Sequence, residues 1–169
     1  LLENKSSALD CTKLMSSTIQ RLVKGQSYDL TLENLESIST EEYKKTILMK
    51  TSPLIALSFE LPLMYGKMEY NKKAIDELSK KFALAYQLYD DLRDQIKDRK
   101  SQRINYVNIL NQKFDRKVSE IMTLDLANNA LESCDKNIIL LPSCIQKILA
   151  ESIQKLIKKI NTHNLIGLV

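Results

Sequence analysis

Tryptophan is absent from this sequence, histidine occurs once, and glycine, proline and cysteine occur three times each in 169 residues. So few glycines and prolines leave little for the tight turns of an all-β chain, and abundant Leu, Ile, Lys and Ser predict a mostly helical protein. Cys11, Cys134 and Cys144 are an odd number without metal-ligand spacing, and His163 stands alone near the end. A disulfide framework and a zinc site are therefore not expected, and a reducing cytoplasm is the natural compartment. Charge is also modest, at +4. Lys44, Lys45, Lys72, Lys73, Lys80 and Lys81 are scattered along stretches that also carry acids, so no nucleic-acid partner is expected. No apolar run reaches membrane-spanning length without a charge, and no basic-then-apolar leader opens the chain. The sequence starts at Leu1 rather than at methionine, which points to a fragment or a processed product.

What is present is helical periodicity. Ala8, Cys11, Leu14, Met15, Ile19 and Leu22 recur at the spacing of an amphipathic helix. That helix runs into Gly25-Gln26-Ser27-Tyr28-Asp29-Leu30, where a glycine is consistent with a helix end. On a continuing helix Gln26 and Asp29 would instead share a face. The segment 31–40 reads as a polar connection, and Ser39-Thr40-Glu41-Glu42 as the next helix start.

From Ile47 to Met64 the pattern is apolar almost all round, predicting a deeply buried helix. Lys50 inside it requires an anionic partner or a path to the surface. Pro53 removes a backbone donor and is expected to kink or loosen the turn at Lys50 and Thr51. Residues 62–71 read as a helix end and loop, 74–97 as a helix, and Val107–Leu131 and Ile138–Ile160 as two more. The basic, amphipathic end of the last one fits a packed terminal helix better than a membrane surface. Without repeats, low-complexity tracts or linkers, residues 1–169 are expected to form a single helical domain.

The stretch 83–98 carries the chemistry. At about 100° per residue, Gln87, Asp90, Asp91 and Asp94 fall within about 100° of arc, with Phe82, Tyr89 and Leu92 on the other side. An acidic helix face is usually only a solvated surface. Three carboxylates beside a glutamine and backed by an apolar face repel one another unless a cation sits among them. A hard divalent ion such as Mg2+, held by carboxylates together with a substrate's phosphates, is the simplest candidate.

Four motifs occur in order: Gly25-Gln26 with Asp29-Leu30; Tyr43 followed by Lys50-Thr51; Tyr86-Gln87-Leu88-Tyr89-Asp90-Asp91-Leu92-Arg93-Asp94; and Asp98 with the run 102–107. Together they resemble the C-terminal half of a trans-type isoprenyl diphosphate synthase, the polyprenyl synthetase family. The resemblance implies an all-α helical bundle of the isoprenoid synthase type, of which this chain would be only the C-terminal part. The implied activity is metal-dependent ionisation of an allylic diphosphate and its condensation with isopentenyl diphosphate.

Carried onto this sequence, the resemblance makes Asp90 and Asp94 magnesium ligands on the allylic diphosphate, with Asp91 supporting. Lys50 and Arg103 would contact that diphosphate, Thr51 and Gln87 would lie near the allylic carbon, and Gln26 and Asp29 would orient their neighbours. A homodimer is implied, or a heteromer if a separate subunit supplies the rest. The family's first aspartate-rich motif and the arginine pair after it are not in this sequence, so the chain alone is not expected to turn over. The other readings are a regulatory subunit without catalysis and a relative that prenylates another acceptor. The family's Gly-Lys-x-Thr-Tyr-Pro loop is replaced here by Gln102-Arg103-Ile104-Asn105-Tyr106-Val107. Arginine for lysine keeps the charge but not the geometry.

Overall fold

The computed structural model describes residues 2–32 and 37–166, with side chains for 7–32 and 37–162. Among the described residues seven α-helices follow in order: α1 (Leu2–Leu32), α2 (Thr40–Lys50), α3 (Ser52–Tyr65), α4 (Lys72–Lys100), α5 (Tyr106–Leu110), α6 (Arg116–Asn137) and α7 (Ser143–Ile166). A short 3-10 turn at Ile138–Leu140 separates α6 from α7. His163 and residues 33–36 of the polar connection lie outside the described side chains. The described residues form the mostly helical protein expected from composition and the all-α bundle implied by the resemblance.

Local chemistry sets the helix starts. Ser39 caps α2 in a full capping box, its hydroxyl accepting from the Glu42 N–H while the Glu42 carboxylate accepts from the Ser39 N–H. Asn71 caps α4 by accepting from Ala74 N–H, and Asp115 caps α6 by accepting from Val118 N–H. Helix α4 is the axis of the bundle and packs on α2, α3, α5, α6 and α7. Its Leu78, Ala85 and Leu88 join Ile47, Leu131, Leu149, Ile153 and Ile160 in one continuous core. Fully burying each such aliphatic side chain contributes about 1.5–3 kcal/mol before entropy is counted.

Several boundaries differ from the periodicity. Gly25 does not end α1, which continues to Leu32. Its missing side chain serves close packing instead, since a Cβ there would sit 2.5 Å from the Met49 carbonyl carbon and oxygen and 2.7 Å from the Lys50 nitrogen. The apolar run 47–64 is not one buried helix but two. The chain breaks at Thr51, and Pro53 stands in the first turn of α3, where no N–H is needed. Ser52 Oγ donates to the Leu48 carbonyl at 2.6 Å across the break. Burial there is one-sided, with Ala56 and Leu63 in the core and Leu54 57% exposed.

Pro62 lies within α3 rather than after it, and the loop begins only at Gly66. The stretch 107–131 is split, because α5 ends at Leu110 and α6 begins at Arg116. Residues 40–65 taken together are long and apolar enough to cross a membrane by length and composition alone. In the bundle they are two helices whose Tyr43, Ile47, Ala56 and Leu63 pack into the core. Their charged Lys50 and Glu60 are paired with Asp29 and Lys72.

The contact at Gly25 makes a testable demand. Gly25→Ala puts a methyl into backbone that cannot rotate away, and is expected to lower unfolding free energy by about 1–3 kcal/mol despite alanine's better helix propensity. Urea denaturation of the variant measures this, and an unchanged or raised midpoint would remove the close approach of α1 to the α2 end.

Candidate functional site

The motif residues meet in one cleft of about 360 Å³, lined by Asp29, Tyr43, Lys50, Gln87, Asp90, Asp91, Asp94, Asp98, Arg103 and Ile104. Four parts of the chain contribute: the last turn of α1, helix α2, the middle of α4 and the loop 101–105. Five aspartates line it against one lysine and one arginine. A cleft so charged draws cations and cationic complexes.

Lys50 finds the anionic partner its position demands in Asp29, with Nζ 2.8 Å from Oδ2 and the two side chains only 20% and 17% exposed. The close approach at Gly25 brings these two turns together, because Gly25 packs on the backbone of Met49 and Lys50 one helical turn before Asp29.

Asp91 is 2% exposed and has no oxygen to spare. Its Oδ2 accepts from the Tyr43 hydroxyl at 2.8 Å and from the Tyr106 N–H at 3.1 Å, and its Oδ1 accepts from Gln87 Nε2 at 3.2 Å. Burial pushes its carboxyl up to about 6, against the opposing pull of the Tyr106, Tyr43 and Gln87 hydrogen bonds. Expected to support the metal-binding pair, Asp91 lies at the buried edge of the cleft, where its side-chain oxygens tie α4 to α2 and to the start of α5.

Asn105 completes that tie. It is fully buried, and its Nδ2 donates both to the Asp91 carbonyl and to Asp98 Oδ2 at 2.9 Å, while its Oδ1 caps α5 by accepting from Val107 N–H at 3.0 Å. An amide does here what a hydroxyl could not, donating twice and accepting once. The loop also holds Gln102 at φ 55, a left-handed conformation that favours glycine, where the resembled motif carries one.

Asp90 and Asp94 face the cleft, 24% and 33% exposed, and Arg93 lies between them. Arg93 Nε and Nη2 donate to the two oxygens of Asp94 at 3.1 and 2.6 Å. Its Nη1 is 2.9 Å from Asp90 Oδ1, a close ion pair that is not a directed hydrogen bond, so that buried oxygen has no hydrogen-bond donor. Burial raises the Asp90 carboxyl above its ordinary value, whereas the hydrogen bonds from Arg93 hold Asp94 below it. Among the described residues no three His, Cys, Asp or Glu side chains are arranged to hold a metal ion. Two carboxylates, one of them held only by an ion pair, nevertheless fit magnesium, which takes one or two protein carboxylates and completes its shell with water and phosphate.

Of the other expected residues, Gln87 and Arg103 line the cleft. Gln26 is exposed on α1 and Thr51 is half-buried at the break between α2 and α3, and neither is among the lining residues. Sequence reasoning gave no role to Arg93, Tyr106 or Asn105. The Arg93–Asp90 pair was detectable from its three-residue spacing, which forms helix-surface ion pairs, whereas the contact with the adjacent Asp94 was not.

Two outcomes follow from this geometry. Because the native Asp91 binds its proton more tightly than the unfolded chain, its burial costs nothing below about pH 4 and the full amount above about pH 6. Its contribution to stability should fall by about 3 kcal/mol as pH rises through that window, and Asp91→Asn should remove this slope from urea unfolding curves. An unaltered slope would mean that Asp91 is not buried as described. Separately, Gln102→Gly should stabilise the protein by about 1 kcal/mol by relieving the left-handed backbone, as read from its melting temperature.

Comparison with known proteins places the fold and the family. The chain is 28% identical over 87 residues to a geranylgeranyl diphosphate synthase of Methanosarcina mazei, a match covering 51% of this chain and 27% of that protein. It is 31% identical over 74 residues to a geranylgeranyl pyrophosphate synthase of Geoglobus acetivorans, covering 43% and 23%. The solved geranylgeranyl pyrophosphate synthetase of Geoglobus acetivorans superposes on 89% of the chain with a TM-score of 0.73 at 20% identity, which shows the shared fold. The chain spans 58% of that solved protein and about a quarter of the curated relatives it matches. The polyprenyl synthetase family model matches residues 1–125, about three quarters of the chain. On that extent of match, over the helices that build the cleft, the chain belongs to the polyprenyl synthetase family.

Proposed function

We propose that the whole protein is a trans-prenyltransferase that joins isopentenyl diphosphate to an allylic diphosphate, and that this chain supplies the allylic diphosphate's side of the site. The observation that carries the reading is the shared cleft, where a half-buried lysine from α2 and a carboxylate pair from α4 line one space. A polyphosphate is the class of ligand that needs both, since its oxygens accept from ammonium and guanidinium groups and its charge recruits divalent cations.

In the proposed reaction the carbon–oxygen bond of the allylic diphosphate breaks and the electron pair leaves with the diphosphate. The double bond of isopentenyl diphosphate attacks the allylic cation, and loss of a proton restores an alkene. Magnesium, bound by Asp90 and Asp94, would supply positive charge to the departing diphosphate. Lys50 donates to the same leaving group, and Asp29 keeps its ammonium on the α2 side of the cleft instead of letting it collapse onto the α4 carboxylates. Arg103 adds a second cation from the loop. Gln87 spends its Nε2 on Asp91, and its carbonyl oxygen would be the end that serves the developing carbocation. Asp91 holds Gln87 and the loop in register and touches no substrate. The second carboxylate cluster and the isopentenyl diphosphate site would come from sequence outside this chain, as its share of the solved relatives' length allows.

Asp90→Ala in the full-length protein is the direct test. Magnesium-dependent release of diphosphate should slow by about 100- to 1,000-fold while far-ultraviolet circular dichroism stays unchanged, the loss typical of one preorganised electrostatic group. Turnover at the wild-type rate would end the role given to this carboxylate.

A further inference from the structure

One guanidinium occupies the place between Asp90 and Asp94. Arg93 reaches Asp94 through Nε and Nη2 at 3.1 and 2.6 Å and Asp90 through Nη1 at 2.9 Å. Both carboxylates are one turn apart on α4 and would repel each other without a shared cation. The two cations that line the cleft stand elsewhere, Lys50 held by Asp29 and Arg103 on the loop. The grip is also uneven. Asp94 is bound by two directed hydrogen bonds, whereas Asp90 has only charge contact and keeps Oδ1 without a donor. The Arg93 side chain is 48% exposed, so its guanidinium can swing outward without breaking the core, giving up only its place 5.8 Å from the Tyr89 ring centroid.

We infer that Arg93 is a positioning residue: a built-in counter-ion that holds Asp90 and Asp94 together in the resting cleft and passes to the diphosphate when the carboxylates take a divalent cation. This rests on the proposed metal role of the Asp90–Asp94 pair. The exchange keeps every charge paired. The carboxylates trade a monovalent guanidinium for a divalent ion, and the released fork meets an anion whose oxygens suit it as well as a carboxylate does. Divalent ion and diphosphate then assist one another, and a divalent ion alone must compete with Arg93. Such coupling is reciprocal between the two ligands.

The test is Mn2+ binding by the full-length protein, followed by electron paramagnetic resonance with and without inorganic pyrophosphate, correcting for Mn2+ that pyrophosphate holds in solution. For Mn2+ alone, Arg93→Gln should tighten binding by about three- to tenfold, the span expected for loss of a partly exposed ion pair. Pyrophosphate should then enhance Mn2+ binding less in the variant than in the wild type, by a similar factor. Arg93→Lys, which keeps the charge but loses the fork, should fall between the two. A gain in metal affinity is not what mere loss of structure produces, and Arg93→Lys carries the same comparison if Arg93→Gln loses helix content. Asp90→Asn separates the two levels of inference. If it leaves Mn2+ binding intact, the carboxylate site and the role of Arg93 both fall. If it weakens Mn2+ binding while Arg93→Gln leaves it unchanged or weaker, the site stands and the exchange by Arg93 is overturned.

Discussion

A carboxylate buried among hydrogen-bond donors governs this bundle. Asp91 accepts from Tyr43 on α2, Tyr106 at the head of α5 and Gln87 on its own helix, and its main-chain carbonyl accepts from Asn105. Removing such a charge from water is costly, and three donors only partly offset it, which is why its carboxyl is pushed up to about 6. The same cost makes the arrangement specific: any register of α4 that left Asp91 without these donors would be worse by several kcal/mol. Holding α4 against α2 and α5 in one register aims Asp90 and Asp94 into the cleft opposite Lys50.

The rest of the cleft is a problem of surplus negative charge. Five aspartates line it, and the cations present are divided rather than pooled. Lys50 is kept by Asp29, Arg93 by Asp94 and Asp90, and Arg103 by its place on the loop. That division leaves two anionic walls, each with its own cation, and a space between them for a ligand that brings both charge signs. The proposed metal diphosphate would be such a ligand. The close packing at Gly25 sets the width of the α2 wall, because α1 carries Asp29 past the end of α2 only if nothing projects from Gly25.

Helix content, the helix start at Ser39, the helical face shared by Asp90 and Asp94, and the need of Lys50 for an anion were all legible in the sequence, because each depends on neighbours within one or two turns. The family resemblance added the order of the motifs and their shared purpose. Boundaries were read less well. Pro62 stands well past the first turn of α3, where a missing donor argues for a helix end, and only the structure shows the helix continuing, while Gly25 does not end α1 because packing, not termination, requires a glycine there.

What the sequence by itself determined is therefore local: periodicity, caps, and which side chains can share a helical face. Only the tertiary structure decided that Asp91 points inward while its neighbours Asp90 and Asp94 point out, since the three share an arc of the helix and differ in what stands across from them. It also decided that Asp29, and not an α4 aspartate, takes Lys50, and that Arg93 spans two carboxylates. Those choices depend on distances between segments remote in the chain, where burial sets the strength of each charge, and no spacing along the sequence encodes that.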